Sequence, residues 1–325
     1  MTFATGYSIP QTDPPRSPRE TLPTMYDLPS EQVGEPGLPD EFHDLQPQLL
    51  SRSLALVDYT REEWFTGADL NLYYDNQHPN WYKRPDWFLA VGVPRLYDGY
   101  DMRRSYVIWQ ERQAPHVVIE FLSPGTQAED LGRFYVSPQA ENEPAIAPAH
   151  NRTLATPKST VEHPPSKLAV YEYSLRVPHY IVYNRQNSQL RYFQMVGSQY
   201  QEQVLNAQAP QLWLADLQVG LGIWQGQFEG MPGHWLRWCD REGHWLLTDT
   251  EQERQAKETE RQAKEAERQA KETERQAKET ERQAKEAAQA QILQSARNLL
   301  ATGMSLKQVT DLLNLTPEQV ANLID

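Results

Sequence analysis

Residues 116–126, HVVIEFLSPGT, constrain the fold more than any other stretch of the chain. Val117, Val118, Ile119, Phe121 and Leu122 form an apolar run of strand length, closed by the turn residues Ser123, Pro124 and Gly125. His116 to Leu122 therefore reads as a buried strand. Glu120 lies inside it. A carboxylate in such a run costs several kcal/mol unless a metal or a cation pairs with it. The plainer reading is a glutamate on the solvated face of an edge strand, and the other acids of the chain decide between the two.

Asp86 is the first of those acids. In RPDWFLAVGVP, residues 84–94, Trp87 to Val93 reads as a strand opened by Pro85 and Asp86. Arg104 to Gln110 reads as a further strand. In an antiparallel meander or a nearby order, Asp86 and Glu120 reach the same end of one sheet. Two carboxylates converging with backbone carbonyls make an oxygen-rich site suited to Mg²⁺. Such an ion activates water and stabilises the charge that grows on a phosphodiester, and a nearby lysine orients the water or neutralises that charge. Further along, Lys167 to Leu175 reads as a helix with Ser166 as N-cap and with Leu168, Tyr171 and Leu175 on one apolar face. His179 to Tyr183 and Leu190 to Met195 pair as strands across a turn at Arg185–Ser188, and Tyr200 to Leu205 is one more. Tyr59 to Leu72 reads as a helix, because Thr60 and Glu63 form a capping box. Leu217 to Trp224 and His234 to Leu247 are Trp-rich hairpin candidates, in which GLGIWQG supplies turn and strand glycines.

PDW at 85–87, VIEFLSPGT at 118–126, Asp130, KLAVYEY at 167–173 and VPHYIVYN at 177–184 together resemble the Uma-type endonuclease family, of the PD-(D/E)xK nuclease superfamily. The resemblance covers about residues 55–200. It implies a restriction-endonuclease-like α+β or α/β fold, a mixed central sheet with flanking helices. It also implies that Asp86 and Glu120 are metal ligands for Mg²⁺ or Mn²⁺, in a DNA endonuclease. The superfamily's usual lysine, two residues after the acid, is Leu122 here; a lysine on the following helix substitutes in the family, and Lys167 matches it. Asp130 precedes that lysine at short spacing in the family, whereas a proline-rich insertion separates the two here. His116 and Tyr171 are read as packing or capping groups.

Outside that region the sequence changes character. Residues 1–40 hold eight prolines and read as an extended arm, and 137–166, with six more, as an insertion loop within a domain spanning 41–248. From Glu253 to Ala287 the heptad ERQAKE-Thr/Ala repeats five times with a Glu-to-Lys i,i+4 pair in each, inside a long charged helix over 249–301. The apolar seam is only alanine and threonine, so both a shallow coiled coil and a solvated single helix remain open. Such a helix to about Leu300 would be on the order of 70 Å long. Residues 302–325 form a helical hairpin with capping boxes at Ser305/Gln308 and Thr316/Gln319. Without Arg or Lys on its second helix, it reads as a packing or oligomerisation element rather than a DNA reader, and homo-oligomerisation through the C-terminal helix is expected.

The net charge of −13 argues against a polyanion binder that works by bulk charge, and leaves a local basic groove or a metal-bridged phosphate site open. The lone Cys239, the lack of a basic-then-apolar leader and the lack of an 18-residue apolar run point to a cytoplasmic chain without a membrane span. Two functions fit: a metal-dependent endonuclease using Asp86, Glu120 and Lys167, or a catalytically inactive nuclease fold that acts as an assembly module.

Overall fold

The computed structural model describes residues 12–22, 40–136 and 163–324; most of the proline-rich arm and of the insertion loop lies outside them. The chain divides into two compact units, Met1–Asp249 and Thr250–Asp325.

The first unit runs through α1 (Pro18–Thr21), α2 (Glu41–Ser53), β1 (Trp64–Gly67), β2 (Leu72–Tyr73), β3 (Tyr82–Lys83), β4 (Trp87–Val91), β5 (Tyr106–Val107), α3 (Ile108–Glu111), β6 (Val117–Phe121) and α4 (Gln127–Leu131). It continues with α5 (Lys167–Ala169), β7 (His179–Asn184), β8 (Gln189–Val196), β9 (Gln199–Gln203), β10 (Gln211–Leu214), β11 (Val219–Phe228) and β12 (Met231–Cys239). The central sheet has the order β1-β4-β6-β7-β8-β9. All neighbours are antiparallel except β6 and β7, whose parallel pairing needs a crossover. That crossover carries α4 and α5. Two smaller sheets, β10-β11-β12 and β3-β2-β5, complete the unit.

The period of two in the strands sorts the core into two layers. Trp87, Leu89, Val91, Val117, Ile119, Phe121, Ile181 and Tyr183 pack with α2 and the β10-β11-β12 sheet. Phe88, Ala90, Val118, Tyr180 and Val182 face the other way, onto Leu131, Leu168 and Tyr171 of the crossover. Helix α2 is pinned to β12 by Gln46, whose amide donates to Leu236 O and accepts from Leu236 N at 2.8 Å each. This mixed α+β architecture agrees with the expected fold class.

Three expectations need correction. The capping box of Thr60 and Glu63 forms, but it opens only a 3₁₀ turn, Arg61–Glu63, and the chain then enters β1. Trp64 and Phe65 are buried there by pairing with β4, an alternative that a local capping signal does not register. The strand expected over Arg104–Gln110 shrinks to Tyr106–Val107, followed by the turn of α3, and it belongs to a side sheet. The helix expected over Lys167–Leu175 is α5 for one turn and a wider π turn over Val170–Ser174.

In the second unit, α6 (Asp249–Ala301) is a single helix of 53 residues. Each heptad carries its expected pair: Lys257–Glu253, Lys264–Glu260, Lys271–Glu267, Lys278–Glu274 and Lys285–Glu281, at 2.5–3.7 Å. Helices α7 (Leu306–Leu313) and α8 (Pro317–Ile324) follow, with Asn314 in the left-handed region at the turn. The hairpin does not wait for another copy to cover its apolar face. Val309, Leu313, Leu315 and Val320 pack on Ala296, Leu299 and Leu300 at the end of α6. No described helix is long and apolar enough to cross a membrane.

Candidate active site

The antiparallel register that sets Trp87 opposite Ile119 carries on by one step to set Asp86 opposite Glu120. The two acids interlock through the backbone. Asp86 Oδ2 accepts from the Phe121 amide at 2.6 Å, and Glu120 Oε2 accepts from the Asp86 amide at 3.3 Å. Glu120 points to the crossover face of the sheet and is fully buried. It is therefore not on the solvated face of an edge strand.

Lys167 enters from the first turn of α5, fixed by the Ser166 cap, whose hydroxyl accepts from the Ala169 amide. Its Nζ donates to Glu120 Oε2 at 3.0 Å. Leu122, at the position usual for the superfamily lysine, is buried in the apolar layer instead. The structure thus brings Asp86, Glu120 and Lys167 together.

It also brings in two further groups, Asp130 and Tyr171. Asp130, separated from Lys167 in sequence by the insertion, has Oδ1 3.1 Å from Nζ, yet off the direction of a hydrogen bond. Gly132 permits this approach: it ends α4 at φ 48°, and a Cβ there would stand 2.7 Å from Leu168 Cδ2. The Tyr171 hydroxyl donates to Glu120 Oε1 at 2.7 Å, so this tyrosine is part of the site rather than packing alone. The available signal was its spacing from Lys167, four residues on and so on the same helix face. For Asp130 the sequence held only the family spacing, which the insertion obscures.

The electrostatics follow from burial. Burial drives Glu120 well above the ordinary carboxylate range; the Lys167 charge pulls it back, and Asp86 and Asp130 push it up again. Asp130 is raised for the same first reason, against the pull of Lys167. The Lys167 charge lowers the pKa of Glu120, but burial is the larger effect. For Lys167 itself, burial would lower the pKa, and the charges of Glu120, Asp130 and Asp86 overcome it, so the ammonium stays protonated well beyond its ordinary range.

Three carboxylates face one ammonium in a mostly buried cluster. Among the described residues, the buried Asp130 Oδ1 has the Lys167 charge beside it and no hydrogen-bond donor. All the available ligands are hard oxygens. These features fit a Mg²⁺ or Mn²⁺ ion. Access is from an open cleft of about 880 Å³, lined by Asp86, Lys167, Ser123, Thr126 and Arg84 among others.

The family described as "Uma2: Putative restriction endonuclease" matches residues 16–224, well over half of the chain and all of the site. No curated protein matches the chain.

Proposed function

The chain belongs to the Uma2 family, whose fold is restriction-endonuclease-like, and from that premise we propose that it is a divalent-metal-dependent DNA endonuclease. Asp86 and Glu120 would hold Mg²⁺ or Mn²⁺, with Asp130 as a third acid beside them. When bound, the ion supplies a low-pKa water and charge stabilisation at the scissile phosphate. The observation that carries this reading is the convergence of three acids and one lysine, of which Asp86 and Lys167 line an open cleft.

Each side chain then has a distinct task. Asp86 lines the cleft and is locked by the Phe121 amide, so it presents a fixed carboxylate without rearrangement. Glu120 is oriented by Tyr171 and Lys167. Lys167, held cationic by its neighbours, cannot accept a proton; it serves as a fixed positive charge that orients water and opposes the negative charge developing on phosphorus. The test is cleavage of plasmid DNA by the full chain with Mg²⁺ or Mn²⁺, with EDTA, and by Glu120→Gln. Metal-dependent nicking that is absent in the variant is the expected result; equal nicking by both would refute the site.

A second reading has its own observations. Both oxygens of Glu120 are already engaged, and Arg84 and Arg52 along the cleft are paired with Asp69 and with Glu229 and Asp249. Under it, the nuclease fold is inactive and serves assembly, with α6 and the hairpin as the contact. The exposed Leu306 and Leu312 of α7 and Ile292 of α6 would supply apolar contacts for another copy. The same cleavage assay separates the two readings.

A further inference from the structure

A second cluster of ligating side chains lies at the other end of the parallel strand pair. His116 immediately precedes β6, and His179 is the first residue of β7. The His179 amide donates to His116 O at 3.2 Å, and the His116 amide to Leu89 O at 2.6 Å, so the sheet fixes both histidines side by side. Asp216 comes from the tight turn between β10 and β11, closed by the Leu217 amide on Leu214 O at 3.2 Å. The three side chains converge. His116 Nε2 is 2.5 Å from Asp216 Oδ2, and His179 Nε2 is 2.9 and 3.0 Å from Asp216 Oδ1 and Oδ2. One ligand atom from each lies within 4.8 Å of the others.

We propose that His116, His179 and Asp216 form a Zn²⁺ site, separate from the acidic cluster, that fastens the leading ends of β6 and β7 to the β10–β11 turn. The chemistry of the set is the first argument. Two imidazoles and one carboxylate suit a borderline-soft ion, whereas the oxygen-only cluster around Glu120 suits Mg²⁺. A carboxylate has no proton to give, so each Nε2 that touches Asp216 carries one, and these two N–H positions are where an ion would take their place. Tetrahedral Zn²⁺ with ligands at about 2.0–2.1 Å spaces its donor atoms by roughly 3.3 Å, within the span of this cluster.

The second argument is the outer partner. His179 Nδ1 is 2.7 Å from the Tyr192 hydroxyl, deep in the sheet. With Nε2 on a metal, Nδ1–H donates to that oxygen, which fixes the ring and its tautomer. Access grades in the right order as well. The His179 side chain is 4 % exposed, His116 21 % and Asp216 46 %, so the cluster has a closed floor and an open mouth where water completes the coordination. His116 and Glu120 lie four residues apart on one strand, about 13 Å along it, so one ion does not serve both.

The test uses the full chain stripped of metal and titrated with Co²⁺, whose visible absorption reports four-coordinate nitrogen and oxygen ligation. One saturating equivalent is expected, displaced by Zn²⁺ and not by excess Mg²⁺. His116→Gln and Asp216→Asn, at partly exposed positions, should each weaken binding at least about tenfold. Glu120→Gln should retain it. Zn²⁺ should raise the melting temperature of the wild type and not of Asp216→Asn, a readout independent of cleavage. No saturable Co²⁺ signal, binding by both variants as tight as that of the wild type, or loss only in Glu120→Gln would overturn the assignment and leave a metal-free His–Asp–His clip.

Discussion

Glu120 is the residue on which burial and function meet, and its neighbours respond to substitution in opposite ways. Glu120→Gln removes one of three crowded acids and keeps a group that can bond Tyr171 and Lys167. Cleavage is expected to fall by at least about 100-fold, while the melting temperature stays level or rises, because a buried charge that burial disfavours has gone. Lys167→Met does the reverse. It leaves three acids without their cation, a loss of about 3–5 kcal/mol for a broken buried pair. Urea unfolding in EDTA should show that loss, and Mg²⁺ should return part of it by replacing the missing positive charge. A loss independent of Mg²⁺ would count against an ion among these acids.

At the scale of elements, the π turn that carries Tyr171 is tied down by Glu172. Its carboxylate accepts from Arg133 at 2.6 Å and from the Tyr200 amide at 2.5 Å, joining the crossover to β9. Burial pushes Glu172 up, but the bonds from Arg133 and Tyr200 outweigh it and the pKa falls below its ordinary value. A depressed carboxylate contributes stability that is present above its unfolded value, near 4.5, and is lost as the pH drops through the folded one. Glu172→Gln should therefore cost about 2–3 kcal/mol at pH 7, less than a fully buried pair since Arg133 is 42 % exposed. The gap to wild type should close as denaturant melts are repeated below that pH. A gap that does not change with pH would mean that shape, not charge, holds the turn.

The elements also show what a sequence can and cannot disclose. β4, β6, β7 and β8 were legible because each is an apolar or alternating run bounded by Pro, Asp, Ser or Asn. The pairing of Asp86 with Glu120 was legible as a common sheet end, although the register that makes them direct neighbours has no local signature. β1 was misread because a capping box is satisfied within four residues, whereas the pairing of Trp64–Gly67 with β4 depends on a segment more than twenty residues away. The nearness of Asp130 to Lys167 was hidden for the same reason, since it arises only when the crossover closes on Gly132.

For the whole molecule, the separation into two units sets the expectations. Ending the chain after Asp249 retains Asp86, Glu120, Asp130 and Lys167 and also the Arg52–Asp249 pair. The truncated protein should melt as wild type does and keep any metal-dependent cleavage; light scattering should show a smaller assembly than the full chain if α6 and its hairpin join copies. The peptide 250–325 should be helical by circular dichroism and lose helix as salt is added, because its ion pairs are exposed and screened. A salt-independent spectrum would show that backbone propensity alone holds it. Each heptad of α6 carries its own Glu-to-Lys pair, and Arg261, Arg275 and Arg282 each pair with a glutamate of the preceding heptad. Adding or removing one whole heptad keeps this register of pairs and changes the length of α6 by about 10.5 Å with a turn of only about 20°. The near-identical repeats thus form a spacer graded in steps of seven residues.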